Sequence, residues 1–188
     1  EELDDMFAEW RKEFGFPQNG EFHGSRLRNY PALLICLVAY APEKAQVMAT
    51  IINKHRLTAE IGTQIYNKPY LLASATGLLV ADQAIVSQEL KKLWYDEGDI
   101  APNRRAVFRT SIQRKANSPW SNSPDVRPLP SHKSSHAQLA DVMAYVLQRE
   151  EHGLSETAEL RRQIRKLCQK SDCSIRRGSG DDLRPYLQ

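Results

Sequence analysis

Between Asp99 and Asn117 the chain reads DIAPNRRAVFRTSIQRKAN. Arg104, Arg105, Arg109, Arg114 and Lys115 follow one another with no acid after Asp99, a local charge of +5 in a chain whose formal net charge is +3. Cations this dense and this poorly compensated attract a polyanion. Phe108, Thr110, Ser111, Asn103 and Gln113 are interleaved with them, the mix that combines phosphate contact with base or sugar contact. A second basic zone, residues 161–177, sets seven bases against Asp172. Within it Arg161, Arg162 and Arg165 join Lys166 on one short segment. Arg26 and Arg28, beside His23 and Tyr30, form a smaller third group. These ten residues, Arg104, Arg105, Arg109, Arg114, Lys115, Arg26, Arg28, Arg161, Arg162 and Arg165, are the candidate nucleic-acid contacts. A solvated face with local ion pairs is the common fate of a charge run. For residues 161–170 it weighs as much as polyanion binding, because alternating-charge helices are common and salt bridges are weak; for the run 104–115, with no acid to balance five bases, the electrostatic footprint favours binding.

Catalytic constellations were sought and are missing from the sequence. It has no G-x-x-x-x-G-K-[ST], G-x-G-x-x-G, G-x-S-x-G or H-E-x-x-H motif. Asp181 and Asp182, or Asp96, Glu97 and Asp99, offer carboxylates to a metal, but acidic pairs at turns and tails are usually solvated. Cys168 and Cys173 with His132 and His136 number four ligands without the spacing of a zinc site. Cys36 lies in an apolar run, where a thiol is a small hydrophobe and a poor nucleophile. We therefore expect no enzyme, no metal and no cofactor.

The elements that must carry the basic residues follow from periodicity. Leu3, Met6, Phe7, Trp10 and Phe14 recur at three- and four-residue steps and predict an acidic amphipathic helix over residues 2–14. Phe16-Pro17 and Asn19-Gly20 stop it, and a loop to about Tyr30 follows. Pro31 opens a buried helix to Tyr40; Pro42 opens another, with Val47, Met48, Ile51 and Ile52 on one face, ending at Lys54-His55-Arg56. Thr58 caps a helix to Asn67, and residues 70–81 read as a buried helix. From about Ala81 to Tyr95, Ile85, Val86, Leu90, Leu93 and Trp94 share an inward face. The basic stretch itself fits a helix over residues 103–116 or a hairpin turning at Pro102-Asn103, and we favour the helix. Residues 117–135 are a Pro/Ser-rich loop, too long for an ordinary connection. A helix over residues 136–151 ends at Gly153, Ser155 caps the last one, and the tail after residue 170 has no period.

The run AIVSQELKKLWYDEGDIAP, with the basic stretch to Ile112, loosely resembles the recognition helix and wing of a winged helix-turn-helix domain. That resemblance implies a sequence-specific DNA-binding regulator. A helical scaffold without nucleic acid is a third possibility.

The expectation is a mostly α fold, a single multi-helix domain with a long Pro/Ser-rich loop and an extended C-terminal tail. The helical domain covers residues 1–170: the acidic helix 2–14, a helical core over 31–116, the loop 117–135 and C-terminal helices over 136–170. The tail is 171–188. With 41% hydrophobic and 26% charged residues, the chain should fold without staples. Residues 1–13 carry six acids against Arg11 and Lys12, opposite in sign to the basic zones. The expected partners are RNA or DNA backbone and other copies of the chain, met through the N-terminal helix and the tail. The expected function is non-catalytic coating or holding of a nucleic acid in a multi-subunit assembly. The longest apolar run, residues 31–41, falls far short of the ~20 residues of a membrane span, and the acidic start lacks a signal-peptide plan. No membrane partner is expected, and the setting is intracellular or within a nucleoprotein particle.

Overall fold

The computed structural model describes residues 2–44, 47–53, 57, 61–62, 72, 75, 79, 92–95, 105–106, 125–154, 157–169 and 173–184. The described chain is mostly helical, as the periodicity predicts. Its helices are α1 (Glu2–Glu13), α2 (Gly24–Leu27), α3 (Pro31–Lys44), α4 (Ser135–Glu151), α5 (Ala158–Gln169) and α6 (Gly180–Leu183), with a 3-10 turn at Ser131–Lys133. Four short strands accompany them: β1 (Val47–Ile52), β2 (Lys92–Tyr95), β3 (Asp125–Pro128) and β4 (Cys173–Gly178). No helix among the described residues is long and apolar enough to cross a membrane. The chain divides into two compact units, one of residues 1–47 and 129–174, the other of residues 48–128 and 175–188.

The first unit is built on α3. Its apolar surface runs nearly all round, so Leu33, Leu34, Leu37 and Val38 are all buried. It packs on α5 more extensively than any other pair of helices in the unit. α5 answers with Leu160, Ile164 and Leu167, at i, i+4 and i+7, and each such side chain contributes about 1.5–3 kcal/mol by leaving water. α4 supplies Leu139, Val142, Met143, Val146 and Leu147, the residues its period singles out. Leu3 and Phe7 of α1 are buried as well, so this helix spends its apolar stripe on its own chain. Its acids Asp5, Glu9 and Glu13 are exposed.

An aromatic cluster closes the α1–α2 connection. Phe22 lies 4.6 Å from Phe7 and 5.0 Å from Phe16, centroid to centroid, and Phe16 lies 5.0 Å from Tyr30. The Arg11 guanidinium sits 4.5 Å over the Phe22 ring and donates to the Gly20 carbonyl at 3.0 Å. Burial lowers the pKa of that guanidinium without discharging it. The buried Gln138 accepts from the Phe22 N–H at 2.8 Å and from Arg11 at 3.3 Å through one amide oxygen. α1 ends in a Schellman closure: the Phe16 N–H reaches the Arg11 carbonyl at 2.8 Å. α4 ends the same way at Gly153, whose φ of 67° suits glycine, with the Leu154 N–H on the Arg149 carbonyl at 2.8 Å.

In the second unit, β1 and β4 form a two-stranded sheet and β2 and β3 another. All but the first residues of β1 and β4 belong to this unit. β2 and β3 run parallel, with Leu93 opposite Val126, Trp94 opposite Arg127 and Tyr95 opposite Pro128. Ala75, Leu79 and Leu183 form a buried cluster joined by Ile52, Leu57 and Leu72.

Several expectations are overturned. Pro42 does not open a helix: α3 runs through it to Lys44 and residues 47–52 are strand. Proline forfeits one intrahelical hydrogen bond, and α3 goes on for only two residues past it. VMATII is rich in β-branched side chains, which suit a pleated surface. Residues 92–95 are likewise strand, not the last turn of a helix. The long Pro/Ser segment holds β3 and the 3-10 turn, with Pro128 on a strand of a two-stranded sheet, an edge where a missing N–H is tolerated. The tail is not without structure: residues 173–178 pair with β1, and α6 buries Leu183. A short helix, α2, interrupts the expected loop to Tyr30. Residues 61–62, 72, 75, 79 and 105–106 are helical; the rest of the helices expected over 58–67, 70–81, 82–91 and 103–116 lies outside the described residues.

Candidate nucleic-acid interface

α5 presents its bases by the same period that buries its apolar stripe. Thr157 caps it, accepting the Leu160 N–H at 3.0 Å, so the cap falls two residues later than the expected Ser155. With Leu160, Ile164 and Leu167 turned inward, Arg161, Arg162, Arg165 and Lys166 are all exposed. Arg162 is engaged: its Nε lies 2.8 Å from Glu159, which also accepts from Gln163 at 2.6 Å. Hydrogen bonds from Arg162 and then Gln163 lower the Glu159 pKa, and Glu159 in turn raises that of Arg162. Lys166 acts on Glu159 only through its charge, and Arg161 and Arg165 have no ion pair with an acid among the described residues. The helix therefore carries Arg161, Arg165 and Lys166, none of them hydrogen-bonded to an acid among the described residues, within about two turns on a face opposite its packing surface.

Arg26 in α2 and Arg28 just after it are exposed, and neither meets an acid among the described residues. Arg105 is half-buried and helical, in the second unit. Arg104, Arg109, Arg114 and Lys115 lie outside the described residues. Arg26, Arg28, Arg161, Arg162 and Arg165 thus belong to the first unit and the five bases of the 104–115 run to the second. The formal charge divides unequally between the units. The first holds twelve Lys and Arg against fourteen Asp and Glu, the second fourteen against nine, so the second carries the chain's positive excess.

The structure also gathers residues that spacing alone does not single out. His23 Nδ1 lies 2.8 Å from the Ser25 hydroxyl, and His23 Nε2 lies 3.9 Å from Asp141. Serine, histidine and aspartate in a row invite comparison with a nucleophilic triad. The imidazole–carboxylate distance is beyond hydrogen bonding, and the same Asp141 oxygen already accepts the Gly24 N–H at 2.9 Å. What this cluster does is pin α2 to α4. The sequence signal was weak, since His23 and Asp141 are 118 positions apart.

Two strand residues were also missed. Trp94, expected on the inner face of a helix, is 53% exposed on β2, and its register partner Arg127 is exposed on β3. Cys36 is half-buried and its thiol pKa is raised by burial and by Glu13, while Cys168 is exposed. No cluster of His, Cys, Asp and Glu able to hold a metal occurs among the described residues. No protein-family model, curated protein or solved structure matches the chain.

Proposed function

We propose that the chain is a non-catalytic nucleic-acid-binding protein that holds a phosphate backbone, through Arg26, Arg28, the 104–115 run and α5, within a multi-subunit assembly. The observation that carries this reading is the outer face of α5. Arg161, Arg165 and Lys166 are exposed together, Arg161 and Arg165 one turn apart with no acid paired to either, and like charges at that spacing repel unless an anion compensates them. The acid-free sequence from Arg104 to Lys115 adds a second cationic segment in the more basic unit. The opposed acidic face of α1 offers a complementary surface for contact between copies. A winged-helix regulator is less well supported, because β2 occupies the end of the helix that would read the groove.

The test is a triple substitution, Arg161→Gln with Arg165→Gln and Lys166→Gln, assayed by equilibrium binding to an oligonucleotide across a salt series. Each phosphate contact removed should flatten the plot of log K against log salt by about 0.7–0.9 and weaken binding alike for every sequence. Unchanged affinity and slope would remove α5 from the interface.

A further inference from the structure

We infer that β2 and β3 form a stacking platform for an unpaired nucleobase, with Trp94 as the stacking surface and Arg127 as the cation beside it, so that the nucleic acid taken is single-stranded. The inference rests on the backbone-binding reading above and adds the class of nucleic acid.

Parallel strands place register partners side by side on one face of the sheet, because side chains alternate with period two. Trp94 and Arg127 are such partners, and both are exposed. Trp94 is one of only two large hydrophobics so exposed among the described residues, the other being Leu154 in the turn after α4. An exposed indole with an exposed guanidinium at its register position is an arrangement that recognises a π-face carrying negative charge nearby. A nucleobase stacks on the ring, and the cation meets its phosphate or stacks in turn.

Charge complementarity favours nucleic acid over an apolar partner. The platform belongs to the unit with fourteen bases against nine acids. In the chain, its two strands bracket the acid-free run 104–115. The one acid in the ladder, Asp125, stands opposite Lys92. Duplex DNA hides its base faces in the stack, so only unpaired bases can use such a surface.

The experiment compares the full chain with Trp94→Ala, Trp94→Phe and Arg127→Ala on three fluorescent probes of equal length: a single-stranded oligothymidylate, a duplex and an abasic deoxyribose-phosphate oligomer. Trp94→Ala should weaken oligothymidylate binding roughly 5- to 150-fold, the range of one lost base stack, and leave duplex and abasic binding unchanged. Trp94→Phe should recover most of the loss, and Arg127→Ala should weaken both single-stranded probes. Loss of equal size on all three probes, or no loss on oligothymidylate, would overturn the platform while the backbone reading stood. Failure of the unsubstituted chain to bind any probe would overturn both.

Discussion

At the scale of single residues, the first unit is joined by a few polar contacts reaching far along the chain. The Ser135 hydroxyl donates to the Asp4 carboxylate and is the main reason that the Asp4 pKa lies below its ordinary value. A depressed carboxyl pKa stabilises the fold fully above the unfolded value, and that contribution is lost as pH falls through the lower folded value. Ser135→Ala should therefore destabilise the chain at neutral pH by about 1 kcal/mol or less, because the carboxylate faces solvent. Urea unfolding at neutral pH and at about pH 2 checks this: the gap between wild type and variant should narrow in acid as Asp4 is protonated in both. A gap of equal size at both would show that the carboxylate charge is not what Ser135 serves.

At the scale of elements, the sharpest packing constraint is the crossing of α2 on α4. A Cβ added at Gly24 would stand 2.2 Å from the Tyr145 Cβ and 2.4 Å from its Cγ, atoms too close to their own backbone to swing away. Gly24→Ala should force α2 outward, stretch the Gly24 N–H bond to Asp141 and cost about 1–3 kcal/mol. The exposed Ser25→Ala next to it loses only the contact with His23. A urea midpoint for Gly24→Ala indistinguishable from that of Ser25→Ala would mean that α2 slides freely over α4. The same scale shows what was legible in the sequence. Where an apolar stripe repeats over two turns or more, as in α4 and α5, the period named the buried residues. The strands escaped because each is four to six residues long. Val47, Met48, Ile51 and Ile52 suit a helix face as well as a strand, and the choice was made by pairing with β4, more than a hundred residues away. In β4, Arg176 and Arg177 break the apolar alternation that would betray a strand. The site was legible to the same degree. The bases of α5 face outward as its period requires, whereas a helical period places Trp94 inward although residues 92–95 are strand.

At the scale of the whole molecule, a net charge of +3 conceals a division between a slightly acidic unit and a distinctly basic one. Under the proposed function, such a division would let one chain attract a polyanion and still meet the acidic surface of another copy. The contribution of each cation falls with ionic strength, because binding releases the counterions condensed on the phosphates. The most direct test of backbone binding is the affinity of the full wild-type chain for a single-stranded oligonucleotide of about twenty nucleotides over a series of salt concentrations. If several of the exposed arginines and lysines contact phosphate, log K should fall linearly with log salt, with a slope of about −0.7 for each contact and hence near −2 or steeper. A slope near zero, or no binding at the lowest salt, would contradict the account.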